Sequence, residues 1–130
     1  MVHVVGFDHL VLRVADVERS LSWYCDRLRL SGERVDDWRA GRVPFPSVRI
    51  DPTTLIELIP GGPPPAGSQG NVDHFCIVVE PVDFADIAAT GEWDVVDGPG
   101  PRFGAQGIGT SIYVRDPDGN VVELRHYGTS

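Results

Sequence analysis

The sequence predicts an α+β protein made of two tandem βαβββ modules whose curved mixed sheets form a central cup, and three observations lead there. The segment Phe7-Asp8-His9-Leu10-Val11-Leu12-Arg13-Val14 returns as Val72-Asp73-His74-Phe75-Cys76-Ile77-Val78-Val79. Asp51-Pro52 leading into Leu55-Ile56-Glu57-Leu58 returns as Asp116-Pro117 leading into Val121-Val122-Glu123-Leu124. Between the copies, Gly61 to Gly70 holds almost no core-forming residue, as a connection would. Self-similarity at a fixed spacing marks a duplicated unit. At 130 residues the chain suits one domain, with module one at 1–60, a linker at 61–70 and module two at 71–130.

The elements follow in order. Val4 to Val14 is rich in β-branched and apolar residues and reads as a strand ending before Asp16, whose carboxylate suits a helix N-cap. Val17, Leu21, Tyr24, Cys25 and Leu28 make a helical stripe, and Gly32 follows as a stop. Arg34 to Trp38, Val43 to Asp51 and Thr54 to Pro60 read as three strands. In the second copy Asn71 to Val79 is a strand, Val82 to Thr90 a helix, and Trp93 to Val96, Gly109 to Val114 and Val121 to His126 are strands. The last two are joined by the turn Asp116-Pro117-Asp118-Gly119-Asn120. Residues 98–107, rich in glycine and proline, predict a long loop serving as a wall or lid.

Composition narrows the function. No apolar run approaches the roughly 20 residues that span a bilayer, and the first residues lack the basic start and apolar stretch of a secretory signal, so the expected location is the cytoplasm. A formal charge of −8 argues against nucleic acid and acidic membranes and for a small-molecule partner. All 11 cations are arginine, which removes lysine Schiff-base chemistry and a P-loop lysine. Cys25 and Cys76 lack CxxC spacing and are expected as buried thiols. His3 and His126 are expected in solvated or capping roles, and Asp8 and Asp73 as polar contacts at strand ends.

Strand side chains alternate between faces. Leu10, Leu12 and Val14 suit the helix side, leaving His9, Val11 and Arg13 opposite; Phe75, Ile77 and Val79 leave His74, Cys76 and Val78 opposite. Ile56 and Leu58 put Glu57 on the face away from the helix, and Val122 and Leu124 do the same for Glu123. Arg49, Ser111, Tyr113 and Arg125 share that parity. A glutamate in the middle of an apolar strand is costly to desolvate unless it is paired or metal-bound. Two histidines and two glutamates, His9, Glu57, His74 and Glu123, form a neutral mixed N/O set around a divalent ion, suited to zinc, nickel, cobalt, manganese or ferrous iron. A glutamate paired with Arg13 or Arg125 is the structural alternative. Arg13, Arg49 and Tyr113, with Arg102 and Phe103 of the predicted loop, are the candidate substrate contacts.

The duplicated order, the histidines in first strands, the glutamates in last strands and the stretch from Ser111 to Leu124 resemble the vicinal oxygen chelate superfamily over nearly the whole chain. The resemblance implies paired βαβββ modules, usually dimeric, around a metal. A His/Glu/His/Glu quartet resembles glyoxalase I, which implies His9, Glu57, His74 and Glu123 as ligands and Glu57 or Glu123 as the base that removes a proton beside a carbonyl. The same family implies two alternatives. One is a ferrous extradiol dioxygenase using His9, His74 and Glu123, and the other is a metal-free protein that binds an antibiotic or metabolite.

Overall fold

The structure, a computed structural model, describes residues 1–62 and 71–128. The linker expected at 61–70 lies outside the described residues except for Gly61 and Gly62. The chain divides into two compact units, residues 1–65 and 66–130.

The first unit runs β1 (His9–Val14), α1 (Val17–Ser22), β2 (Ser31–Glu33), α2 (Val35–Arg39), β3 (Ser47–Asp51) and β4 (Thr54–Pro60). Its open sheet has the order β1-β4-β3-β2, with β1 parallel to β4 and the other neighbours antiparallel. Helix α1 starts at the expected cap, where Asp16 accepts from the Arg19 amide at 3.1 Å. It continues as a wider π turn over Trp23–Arg27. The stripe Val17, Leu21 and Tyr24 is buried together with Val14, Val48, Ile56 and Leu58. Each such aliphatic side chain contributes roughly 1.5–3 kcal/mol by leaving water.

Two expectations fail in this unit. Residues 4–8 are not strand: β4 supplies partners only from Leu55, which faces His9, and Val4 and Val5 stay exposed. Arg34 to Trp38 is not a strand either. Arg34 takes a left-handed backbone (φ 59°) that turns the chain into α2, where the Trp38 amide bonds the Arg34 carbonyl at 2.9 Å. The edge strand is instead Ser31–Glu33, paired with Ser47–Arg49. Gly32, expected as a helix stop, lies in that strand opposite Val48, where a Cβ would come within 2.7 Å of a Val35 methyl.

The second unit runs β5 (Phe75–Val78), α3 (Phe84–Ala89), β6 (Val95–Gly104), β7 (Gly107–Arg115) and β8 (Val121–His126). Its open sheet has the order β5-β8-β7-β6, with β5 parallel to β8 and the rest antiparallel. Each unit is therefore a βαβββ module with the same strand order. The turn before β8 forms as expected, with Asp116 accepting from the amides of Asp118 (2.9 Å) and Asn120 (2.8 Å).

The expected loop at 98–107 is mostly β6, hairpin-paired to β7 from Gly100↔Ser111 to Gly104↔Gly107. Pro99 and Pro101 are tolerated because β6 is an edge strand, and the irregularities between Val95 and Gly100 absorb the misfit. His126 is buried rather than solvated. It lies on the helix side of β8, its Nδ1 2.9 Å from the Gly128 carbonyl oxygen and its ring 5.1 Å from that of Phe84. Cys25 is half-buried and Cys76 is exposed, so the buried-thiol expectation fails for Cys76. The pleat that turns Ile77 inward turns Cys76 outward. Among the described residues, no helix is long and apolar enough to cross a membrane.

Candidate functional site

The registers put the four candidate ligands on equivalent positions. Glu57 lies beside Val11, two residues after His9, and Glu123 lies beside Cys76, two residues after His74. In the first unit Ser47 flanks Glu57 on β3, and in the second Tyr113 flanks Glu123 on β7. Each unit thus presents one imidazole and one carboxylate on the sheet face away from its helix. Among the described residues no three His, Cys, Asp or Glu side chains gather as a metal cluster; the local arrangement in each unit is a pair.

Both pairs extend into a chain of three groups. His9 Nδ1 lies 2.7 Å from Asp8 Oδ2, and His9 Nε2 lies 3.6 Å from Glu57 Oε1. His74 Nδ1 lies 2.7 Å from Asp73 Oδ2, and His74 Nε2 lies 3.0 Å from Glu123 Oε1. An ionised carboxylate only accepts, so each Nδ1 carries the proton. Each Nε2 then points at a second carboxylate oxygen, an arrangement that is favourable only when a positive charge is shared between them, either a proton or a metal cation. Orientation of a ligating histidine by a carboxylate on its other nitrogen is the usual support for a metal-binding imidazole. Each unit by itself offers one imidazole nitrogen and one carboxylate oxygen, donor types that suit a divalent ion but fewer than the three or four protein ligands such an ion takes. The hydrogen bond that His9 donates to Asp8, helped by the charge of Glu57 and opposed by slight desolvation, raises the His9 pKa above its usual 6.5.

The Asp roles differ from the sequence expectation. Asp8 and Asp73 turn back onto the adjacent histidines, although successive residues of a strand point to opposite faces; both lie just before β1 and β5, where the backbone is not yet pleated. The signal that would have found them is the Asp-His dipeptide at both repeat positions. Asp73→Asn is expected to weaken divalent-metal affinity by about 10–100-fold with an unchanged far-UV spectrum, measured by competition with a chromophoric chelator.

The two glutamates are held very differently. Glu123 and Arg125 are 3% and 2% exposed. Ser111 Oγ donates to Glu123 Oε2 at 2.7 Å, and Arg125 Nη2 and Nε donate to the same oxygen at 2.8 and 3.3 Å. The guanidinium also donates to the carbonyls of Phe103 (3.0 Å) and Gly107 (3.4 Å) and to the Tyr127 hydroxyl (3.2 Å). Burial pushes the Glu123 carboxyl up, but the Ser111 hydroxyl and the Arg125 guanidinium outweigh it and hold the group below its usual 4.5. Its contribution to stability is thus complete above that value and is lost as pH falls through the lower folded value. Glu57 is less buried, with 19% of its side chain exposed against 4% for Glu123, and its one partner among the described residues is His9.

Of the candidate substrate contacts, Arg13 shares the face of His9 and Glu57, beside Ile59. Arg49 also shares it but is committed to Glu33 and to the carbonyls of Asp51 and Pro52. Tyr113 stands edge-on to the His74 ring at 5.4 Å. Its hydroxyl pKa is raised by burial and then by the Glu123 charge. Arg102 lies 5.7 Å from the Tyr113 ring centre and bonds Asp97 at 3.0 Å. Phe103 is not brought to this group: it pairs with Ile108 on the other face of the hairpin and is 82% exposed.

Comparison with known proteins agrees with the fold. The profile of the family described as Glyoxalase/Bleomycin resistance protein/Dioxygenase superfamily matches residues 6–124. A virulence protein of Salmonella typhimurium, STM3117, is 32% identical over 123 residues, covering 92% of this chain and 83% of that one. A probable lactoylglutathione lyase of Synechocystis is 30% identical over 121 residues, covering 89% and 91%. The crystal structure of STM3117 superposes with a TM-score of 0.74 at 26% identity, over 98% of this chain and 100% of that one. With two βαβββ modules, a repeated Asp-His-Glu chain and a profile match over most of its length, this chain belongs to the glyoxalase/bleomycin resistance protein/dioxygenase superfamily.

Proposed function

We propose that the chain is a metal-dependent lyase or isomerase of the glyoxalase I kind, acting on a small oxygenated substrate by removing a proton beside a carbonyl. The observation that carries this reading is the twofold Asp-His-Glu chain, in which each imidazole has one nitrogen fixed by an aspartate and the other aimed at a glutamate oxygen. A divalent ion of the zinc, nickel, cobalt, manganese or ferrous kind, held by His9, Glu57, His74 and Glu123, would supply Lewis acidity to the carbonyl oxygen as negative charge grows there.

The chain's own side chains supply the remainder. A glutamate takes the proton from carbon and returns it to the neighbouring carbon, so atoms and electrons balance without an oxidant. Arg13, which has no hydrogen-bond or ion-pair partner among the described residues, offers a cation to an anionic substituent of the substrate. Tyr113 and Arg102 contribute a polar wall beside His74. The likeness to a probable lactoylglutathione lyase supports the same class of reaction. The working unit in this reading is a cytoplasmic homodimer, so light scattering should report twice the 14.2 kDa of one chain.

The test is direct. Purified protein is expected to bind a divalent ion, to isomerise the hemithioacetal of methylglyoxal and glutathione when loaded, and to lose that activity on chelation. A protein that takes up no divalent ion in titration, or that consumes oxygen with a catechol and ferrous iron while leaving the hemithioacetal unchanged, would overturn the proposal.

A further inference from the structure

The helix side of the second sheet is left partly uncovered. In the first unit α1 and its π turn bury Val17, Leu21 and Tyr24. In the second, α3 has six residues and buries only Phe84, while Ala85, Ala88 and Ala89 stay exposed. Strand parity puts Thr110 and Ile108 on the same side as Ile112, and with them their cross-strand partners Pro101 and Phe103. Phe103 is 82% exposed and Ile108 66%. The side chain between Pro101 and Phe103 faces the other way, where Arg102 lies over the Tyr113 ring beside His74. Single exposed apolar residues are ordinary, but a cross-strand pair of them next to a cavity marks a contact surface.

The cavity lies between α3 and β6. Val82, Asp83, Phe84, Pro99, Pro101 and Thr110 line it, and its volume is about 270 Å³. That is below the roughly 300–1,000 Å³ of pockets that enclose a whole small-molecule ligand, so the cavity suits a single large side chain. Phe103 and Ile108 continue the apolar strip from Pro101 and Thr110 by one step of the pleat, about 7 Å. Two anchors at i and i+4 of a partner helix stand about 6 Å apart along its axis and match that step. A partner strand would fit poorly. β6 is the sheet edge, but Pro99 and Pro101 have no amide to offer it.

Charge selects the partner. From Glu80 to Pro101 the chain carries six acids and no arginine or lysine. Glu80, Asp83 and Asp86 are exposed around the start of α3, and Asp83 lines the cavity. A second copy would bring the same acids and a net charge of −8 to this face, and an acidic membrane would be repelled likewise. We propose that the helix side of α3, β6 and β7 is a docking surface for an amphipathic helix of another protein. That helix carries one large apolar anchor for the cavity, a second for Phe103 and Ile108, and lysine or arginine beside Glu80, Asp83 and Asp86. The surface is on the side of the sheet away from His74 and Glu123, and the inference does not depend on the lyase or isomerase reading.

The probe is a fluorescein-labelled peptide of about four helical turns, built from leucine and lysine in amphipathic order with one central tryptophan. Its binding to the full chain is read by fluorescence anisotropy at low salt. A Kd at or below about 100 μM is expected, weakened about tenfold or more in Phe103→Ser/Ile108→Ser and in Asp83→Asn/Asp86→Asn. A peptide with glutamate in place of lysine should not bind. Asparagine still caps α3, and Phe103 and Ile108 are exposed, so both double variants should keep the parental thermal midpoint. The control Asp26→Asn/Asp36→Asn removes two exposed acids of the first unit and should leave the affinity unchanged, which unspecific attraction to an acidic chain would not do. No binding at that concentration, equal weakening by the control pair, or full affinity in the serine pair would overturn the proposal. A serine pair that no longer folds would show that the fold itself needs these side chains, and would overturn it too. So would a dimer that the serine pair converts to monomer in light scattering, because a second copy would then be the occupant.

Discussion

Arg125→Met is expected to destabilise the protein by about 3–5 kcal/mol, the usual consequence of removing one member of a buried ion pair. The cause is specific to Glu123. Its side chain is almost fully buried, its Oε2 relies on the guanidinium and Ser111, and its Oε1 faces His74. Methionine fills the volume but leaves the carboxylate without its cation and frees the carbonyls of Phe103 and Gly107. For a chain of this length the thermal midpoint should fall by roughly 10–20 °C.

Two controls separate this from a simple packing defect. Adding Glu123→Gln to Arg125→Met removes the orphaned charge and should recover part of the loss, which a double-mutant cycle by denaturant unfolding would measure. The pH dependence should also change. In the parent, Glu123 stays ionised below its usual value, so its contribution is complete above pH 4.5 and is lost as pH falls through the folded value. In Arg125→Met burial dominates and the carboxyl moves up, so the variant gains relative to the parent on acidification. The gap in stability should therefore begin to narrow above pH 4.5, as the variant's carboxyl takes up its proton, and go on narrowing as pH falls through the parent's lower folded value. A gap that stays constant from pH 7 to pH 3 would show that the ion pair is not what the substitution disturbs.

The double variant His9→Ala/His74→Ala is expected to lose divalent-metal binding altogether. Each histidine contributes an Nε2 oriented by an aspartate, and alanine leaves only the carboxylates. In the parent, metal at a hundredfold over its dissociation constant should stabilise the fold by about 2.7 kcal/mol, seen as an upward shift of the thermal midpoint that the double variant lacks. Because a ligating imidazole must be neutral, the proton competes with the metal. The raised pKa of His9 means that the metal-induced shift should already decline as pH falls through a point above 6.5, earlier than an ordinary histidine would dictate. A double variant that still gains the full shift would remove these residues from the ligand set.

Alternation and repetition made much of this legible in the sequence. The strand residues alternate with period two, so the faces of His9, Glu57, His74 and Glu123 were readable from their apolar neighbours alone. Equivalence between the halves made the two pairs stand out, and Thr54–Pro60 and Val121–His126 form strands with the bounds their composition predicts. Where local composition misled, a tertiary partner explains it. Pro99 and Pro101 signal a loop, but they sit on a sheet edge where the missing amides have no partner to serve. Val35 and Trp38 suit a strand, but the left-handed turn at Arg34 and the pairing of Ser31–Glu33 with β3 leave them to a short helix.

By itself, the sequence determined the duplicated βαβββ plan and which side chains share a face, because both depend on spacing along the chain. Only the tertiary structure decided that Asp8 and Asp73 lock the neighbouring imidazoles, that Arg125 rather than Arg13 pairs with a glutamate, and that Glu57 has no such clamp among the described residues. These partners lie only one or two residues apart in sequence, but which way each side chain turns is set by the packing around it, and an alternating pattern carries no information about which of two equivalent carboxylates will find a cation.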